Sequence, residues 1–350
     1  MTQSIKTNLQ ESARIVTETH RGLERKKKEK QRKIFFCLLP FTFYCLLSAL
    51  PAYAETEKNS CPPRFVLTTP SNNVDITFKD WDKTCGNLKS YILSFEEMLL
   101  ALNKSNVVYL GEIHNNPKDH KNQLKIIQEL YKQNPKIAIA MEMFQKPYQG
   151  VVNQYLAGKI TEEELIEKSE YEKRWGFPWQ NYAPILNFAK EKQLSVITLN
   201  TPSEITRKVA QKGLESLTPS EQKLIPPLSE IQTNNEEYRQ QLESVFQQHQ
   251  AANHGNSTDI ENFFQAQVLW DETMAEGIAK FRKTYPNYQI IVLAGQGHII
   301  YDYGIPSRVA RRLKGEKFIQ RSVLLSPPDN INQPKQKKAI ADFVLQGGLR

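Results

Sequence analysis

Short apolar runs recur along the chain, and the stretches between them keep helical rather than alternating spacing. Val107–Leu110, Ile137–Met141, Ser195–Leu199, Ile290–Ala294 and Phe318–Leu325 have the length and the β-branched character of buried strands. Ser94-Phe95-Glu96-Glu97 reads as a capping box opening a short helix to Leu102. Pro117 stands where a second helix begins, and Leu124, Ile127 and Tyr131 then share one face as far as Lys132. Tyr148, Val151, Val152, Tyr155 and Leu156 keep the same period. Alternating strands and helices of this kind predict an α/β fold, a mostly parallel sheet flanked by helices. From about Thr201 to Tyr285 no strand pattern occurs, while Tyr238, Leu242, Val245 and Phe246 form a helical stripe. That stretch is expected to be a helical insertion forming a lid over the carboxyl edge of the strands.

The ends of the chain read differently. Arg25 to Lys33 is basic, Ile34 to Leu50 is apolar, and Ala52-Tyr53-Ala54 is a small-x-small cleavage pattern. Residues 1–54 are therefore expected to be a signal peptide cut after Ala54, or an uncleaved N-terminal anchor. Neither Cys37 nor Cys45 follows a lipobox-like sequence. The segment carries ten Lys/Arg and four Asp/Glu, so it supplies +6 of the formal +8 and leaves +2 for residues 55–350. The basic balance thus belongs to targeting, and no zinc-finger spacing or arginine-rich stripe argues for nucleic acid. Residues 55–93 read as a lead-in hairpin turning at Pro70-Ser71-Asn72-Asn73, with Cys61 and Cys85 as a candidate disulfide in an exported chain. Residues 94–326 form the main domain, and 327–350 read as a flexible polar tail.

Candidate chemistry gathers at the strand ends. Gly111-Glu112-Ile113-His114 follows one strand, and Gly295-Gln296-Gly297-His298 follows another. Glu142 sits between Met141 and Met143, and Asn200 ends a third strand. In open α/β sheets the carboxyl ends of strands are where ligands bind. His114, Glu142 and His298 could hold a divalent metal with an open position for water. Glu112 and Glu142 would then fill the carboxylate roles, one of them accepting the water's proton. No His-Glu-x-x-His spacing is present, so such a site would be assembled from distant segments.

These paired Gly-x-x-His phrases, with a glutamate between them, resemble the ChaN-like branch of the Tiki/TraB/erythromycin-esterase superfamily. Arg174-Trp175-Gly176-Phe177-Pro178-Trp179 with Tyr182 and Pro184 is similar to that branch's aromatic signature, as are Gln267, Trp270 to Ala275, and Gly304-Ile305-Pro306-x-Arg308. The resemblance runs from about Ser94 to Leu325. It implies an exported haem- or iron-binding protein, periplasmic or membrane-associated, acting in haem or iron uptake. Tiki-like relatives imply the alternative, a metal-dependent protease or esterase using the two histidines and the glutamate. Erythromycin-esterase relatives imply a metal-free variant in which a histidine acts directly on water. For haem, Trp179 and Tyr182 would provide an aromatic wall with Trp175 and Phe177, and His249 and His254 are candidate ligands. The expected partners are haem or a small-molecule or peptide ligand, with membrane contact only through an uncleaved N-terminal segment; the oligomeric state stays open, a homodimer included.

Overall fold

The computed structural model describes residues 64–67, 92–251, 259–327 and 339–346. They contain eight strands: β1 (Arg64–Leu67), β2 (Ile92–Ser94), β3 (Val107–Glu112), β4 (Ile137–Gln145), β5 (Ser195–Asn200), β6 (Gln289–Gly295), β7 (Gln320–Leu324) and β8 (Phe343–Gln346). They form one sheet in the order β2-β1-β8-β7-β3-β6-β4-β5, with every neighbouring pair parallel. The helices are α1 (Phe95–Asn103), α2 (Pro117–Gln133), α3 (Gln149–Leu156), α4 (Glu162–Lys168), α5 (Tyr171–Arg174), α6 (Ala183–Glu191), α7 (Ser203–Lys212), α8 (Pro219–Gln222), α9 (Glu236–Ala251), α10 (Ile260–Thr284) and α11 (Ile305–Arg312).

Local chemistry sets the boundaries. The Ser94 hydroxyl accepts the Glu97 N–H while the Glu97 carboxylate accepts the Ser94 N–H, closing the capping box of α1. Asn116 caps α2 through the Lys118 N–H, and Pro117 occupies a position whose missing N–H costs nothing. In the central strands β3, β4 and β6 every residue is buried, which only a sheet covered on both faces permits. Val108, Leu110, Ile139, Met141, Ile291 and Leu293 point into one apolar cluster with residues of α1, α2, α3, α4 and α6. α7, α10 and α11 contribute nothing to that cluster; Gly277 of α10 instead lies against Leu199 of β5, on the other face.

Connectivity decides where a ligand could sit. The chain leaves β3 toward β4 in one direction across the sheet and leaves β6 toward β7 in the other. Crossovers of fixed hand then send their helices to opposite faces, opening a crevice between the carboxyl ends of the adjacent strands β3 and β6. In register, Glu112 stands beside Gly295 at that edge. The β4–β5 register shifts between Met141 and Gln145, a bulge-like irregularity at the position of Glu142.

Two sequence readings change. Phe343–Gln346, assigned to the flexible tail, is a strand between β7 and β1 with Phe343, Val344 and Leu345 buried. β1, assigned to a hairpin, pairs in parallel with β2 and β8. The remainder of that hairpin, its turn, Cys61, Cys85, residues 1–54 and most of the 327–338 stretch lie outside the described residues. No helix among the described residues is long and apolar enough to cross a membrane.

α10 is tied to α11 by one carboxylate. Glu272 is fully buried and meets Arg311 at 2.7 Å, Arg308 at 3.3 Å, and Arg312 in a short ion pair. Removing a partner from a buried ion cluster strands the remaining charges. Glu272→Ala is expected to cost about 3–5 kcal/mol in urea unfolding; a loss within about 0.5 kcal/mol, as at an ordinary surface site, would contradict that role.

Candidate functional site

Two imidazoles face each other across the β3–β6 crevice, each oriented by its own carboxylate. Just past β3, His114 Nδ1 lies 2.8 Å from Glu112 Oε1. Glu112 also accepts the Tyr182 hydroxyl at 2.6 Å and the Gln123 amide at 2.6 Å. Three donors on one buried carboxylate make Nδ1 the protonated nitrogen of His114, so in the neutral ring Nε2 carries the lone pair. His120 supports the loop by donating from Nε2 to the His114 carbonyl at 2.9 Å.

After β6, His298 Nδ1 lies 2.7 Å from Asp271 Oδ1 and 3.1 Å from Gln267 Nε2, both on α10. The Tyr238 hydroxyl of α9 donates to the other Asp271 oxygen at 2.7 Å. His298 Nε2 is 3.5 Å from Glu142 Oε1. The second Glu142 oxygen accepts the Gly295 N–H at 2.7 Å. Asn200 donates to the Glu142 carbonyl, not its carboxylate.

Glycine is required twice. A Cβ on Gly295 would stand 2.8 Å from His114 Nε2 and 3.7 Å from Glu142 Oε2, so the imidazole and the carboxylate both crowd the space beside that residue. A Cβ on Gly304 would collide with the His298 carbonyl and stand 3.0 Å from Asp271 Oδ1. The aromatic segment closes the front: Trp175 meets the His114 ring edge-on at 4.9 Å and Phe177 tilts against it at 4.9 Å. His114 is 5 % exposed, Glu142 4 % and His298 0 %.

Charge follows from this enclosure. Burial alone would lower the His298 pKa, but Glu142 and Asp271 carry it up to about 10. Burial likewise would raise Glu142, and His298 with His114 instead takes it down to about 2. His114 is raised too, its burial outweighed by Glu112 and Glu142. The Tyr182 hydroxyl is pushed well above its ordinary value by burial and by Glu112.

A family model described as haem-binding uptake, Tiki superfamily, ChaN matches residues 98–309, more than half of the chain. The chain belongs to this ChaN family. A solved structure of ChaN from Campylobacter jejuni, described as showing cofacial haem binding, superposes with a TM-score of 0.56 at 21% identity, covering 72% of this chain and 91% of that one. At that identity the likeness establishes the fold. A plant protein, RETICULATA-RELATED 5 (chloroplastic) of Arabidopsis thaliana, is 27% identical over 262 residues, 70% of this chain; the chain spans about a third, 34%, of that relative's length.

Set against this ChaN frame, Glu112, His114, Glu142 and His298 converge, while Trp179 and Tyr182 do not form an open wall. Tyr182 is fully buried with its hydroxyl on Glu112, and Trp179 packs in the core with its indole N–H on Glu162 at 2.8 Å. A haem needs a flat apolar face and an iron ligand. His114 Nε2, buried and without a hydrogen-bond partner among the described residues, abuts Gly295 with no space for a macrocycle, so the cluster does not fit haem. Among the described residues no group of three or more His, Cys, Asp or Glu side chains is arranged to hold a metal ion. The His298 nitrogen that would face a metal faces Glu142 as an ion pair, and a protonated imidazole cannot coordinate. The His249 side chain and His254 lie outside the described residues.

Sequence reasoning missed Asp271 and Gln267 as partners of His298, and His120 and Gln123 as supports of Glu112. His120 and Gln123 carried a signal: both are polar at positions the helical period of α2 assigns to its buried face.

Two outcomes follow. His298, raised from 6.5 to about 10, contributes stability fully present below pH 6.5 and lost as pH rises to about 10. Glu142, lowered from 4.5 to about 2, contributes stability present above pH 4.5 and lost as pH falls to about 2. Thermal melts from pH 5 to 10 should therefore fall on the alkaline side from about pH 6.5, and His298→Gln should flatten that limb; parallel profiles would refute the pairing. Gly295→Ala should drive the His114 ring off Glu112 and cost about 1–3 kcal/mol in the same melts.

Proposed function

We propose that this chain is an exported haem- or iron-binding protein of the ChaN type, acting in haem or iron uptake, and that it takes its ligand on an outer face. The family match over residues 98–309 is the observation that carries this reading. The strand-end cluster supports the outer location, because His114 Nε2, without a hydrogen-bond partner among the described residues, is pressed against the Gly295 backbone. Haemin titration of the full chain, followed at the Soret band, tests it beside a His114→Ala/His298→Ala variant. A saturable shift of equal size in both proteins is expected. Loss of the shift in the variant would move the iron into the cluster, and no saturable shift in the wild type would overturn the haem reading.

A second reading is favoured by the unpartnered His114 Nε2 itself. A buried lone pair whose ring is oriented by a carboxylate is the arrangement of a general base. In this reading His114 takes a proton from water as the water oxygen attacks a carbonyl carbon, and returns it to the leaving alkoxide or amine as the scissile C–O or C–N bond breaks. Glu112, itself held by Tyr182, orients the ring, and the His298–Glu142 ion pair supplies a fixed dipole beside the reacting centre. Such hydrolysis would need the Trp175–Phe177 segment to open. An ester and peptide substrate panel should then show turnover that His114→Asn reduces by about 10²–10⁴-fold; turnover equal in the variant would remove the reading.

A further inference from the structure

α10 is polar on two opposed faces, and only one of them serves the strand-end cluster. Gln267 and Asp271 face His298, while Glu272, Glu276, Lys280 and Lys283 recur at the spacing of a second face. Against that second face the chain leaves a groove of about 500 Å³, bounded on its other side by Ser229 to Gln232 and by Arg311 and Arg312 of α11.

Its walls are cationic and their donors are incompletely used. Arg312 is 92% buried at its side chain (8 % exposed), yet its Nε and Nη2 have no hydrogen-bond acceptor, and Nη2 is 3.4 Å from the half-exposed Glu230 carboxylate. Arg312 and Arg311 both share Glu272 with Arg308, so three guanidinium groups meet one buried carboxylate. Glu276, the other acid on the wall, is paired with Lys146 at 2.6 Å. Lys280 and Lys283 add two exposed ammonium groups one helical turn apart. Of the lining residues Ala279 alone is apolar; Ser229, Gln232 and Thr284 supply hydroxyl and amide groups.

From this geometry we infer that the groove between α10 and α11 binds a small phosphate-bearing polar molecule, with Arg312, Lys280 and Lys283 as its anion contacts. The volume lies within the range of small-molecule sites, about 300–1,000 Å³. The near absence of apolar lining excludes a hydrophobic body such as a porphyrin. Two ammonium groups opposite a planar guanidinium suit a ligand with two adjacent oxyanion centres, one met by point charges and the other by a fork. The assignment is independent of the haem reading and of the histidine cluster, which lies on the other face of the helix.

Calorimetric titration of the full chain with inorganic pyrophosphate, at fixed ionic strength with chloride as the balancing anion, tests the proposal. One saturable site is expected, weakened at least tenfold in Lys280→Gln/Lys283→Gln, an exposed pair whose loss leaves the Glu272 ion cluster in place. Arg312→Lys, which keeps the charge but not the fork, should weaken it as well. No saturable heat, or equal affinity in the lysine variant, overturns the site. Citrate binding as tightly as pyrophosphate would overturn the phosphate assignment. Haemin binding measured on the lysine variant should be unchanged, so failure here is separable from failure of the haem reading.

Discussion

The pairing of buried imidazoles with buried carboxylates at the β3–β6 edge is the constraint that orders this molecule. An ionised group taken out of water is tolerated only when partners replace its hydration. Glu112, Glu142 and Asp271 therefore each need donors, and the fold is arranged to deliver them. Glu112 draws on Tyr182 and Gln123, Asp271 on Tyr238, and Glu142 on the Gly295 backbone N–H. Those demands reach far along the chain, fixing two glycines that stand where no Cβ fits and a disturbance of the β4–β5 ladder where Glu142 turns inward. They also dock α10 so that Asp271 reaches His298.

Much of this was legible in the sequence, for identifiable reasons. Strands buried on both faces must be continuously apolar, so Val107–Leu110 and Ile290–Ala294 announced themselves, and the polar residues just past them had to lie at the edge. The capping box at Ser94 is a local interaction and needs no tertiary context. β8 was hidden because four residues are too few to carry a period; its strand character comes from β7 and β1 on either side. The inward packing of Trp179 and Tyr182 was hidden too, since an aromatic run reads alike whether it lines a cavity or fills a core. Asp271 was invisible for a third reason: which carboxylate of a long helix reaches a histidine depends on the helix's rotation about its axis, set by packing elsewhere.

The residues that carry the family resemblance acquire physical meaning in this frame. Gly304 lets the chain pass over the His298 carbonyl, Arg308 joins the Glu272 cluster, and Trp175 covers His114. These are frame residues: they hold the histidine pair and its enclosure. The frame itself tolerates little change, because each member satisfies another's buried charge.

The enclosure is not equally strong all round. Behind the histidines stand the sheet and α10, where displacement would break ladder hydrogen bonds and expose apolar core. In front stands the Trp175–Phe177 segment, whose anchor is Arg174. Its guanidinium spans Glu170 at 2.5 Å and Glu204 at 3.0 Å, so it ties α5 to α7 across the front of the site. Both acids are partly exposed, and pairs of that kind contribute about 1 kcal/mol or less each. Glu170 also sits in the left-handed region at φ 51°, an arrangement costing a non-glycine residue about 1–2 kcal/mol. The cheapest way into the cluster therefore runs under Phe177, and any solvent or substrate that reaches His114 Nε2 would enter there.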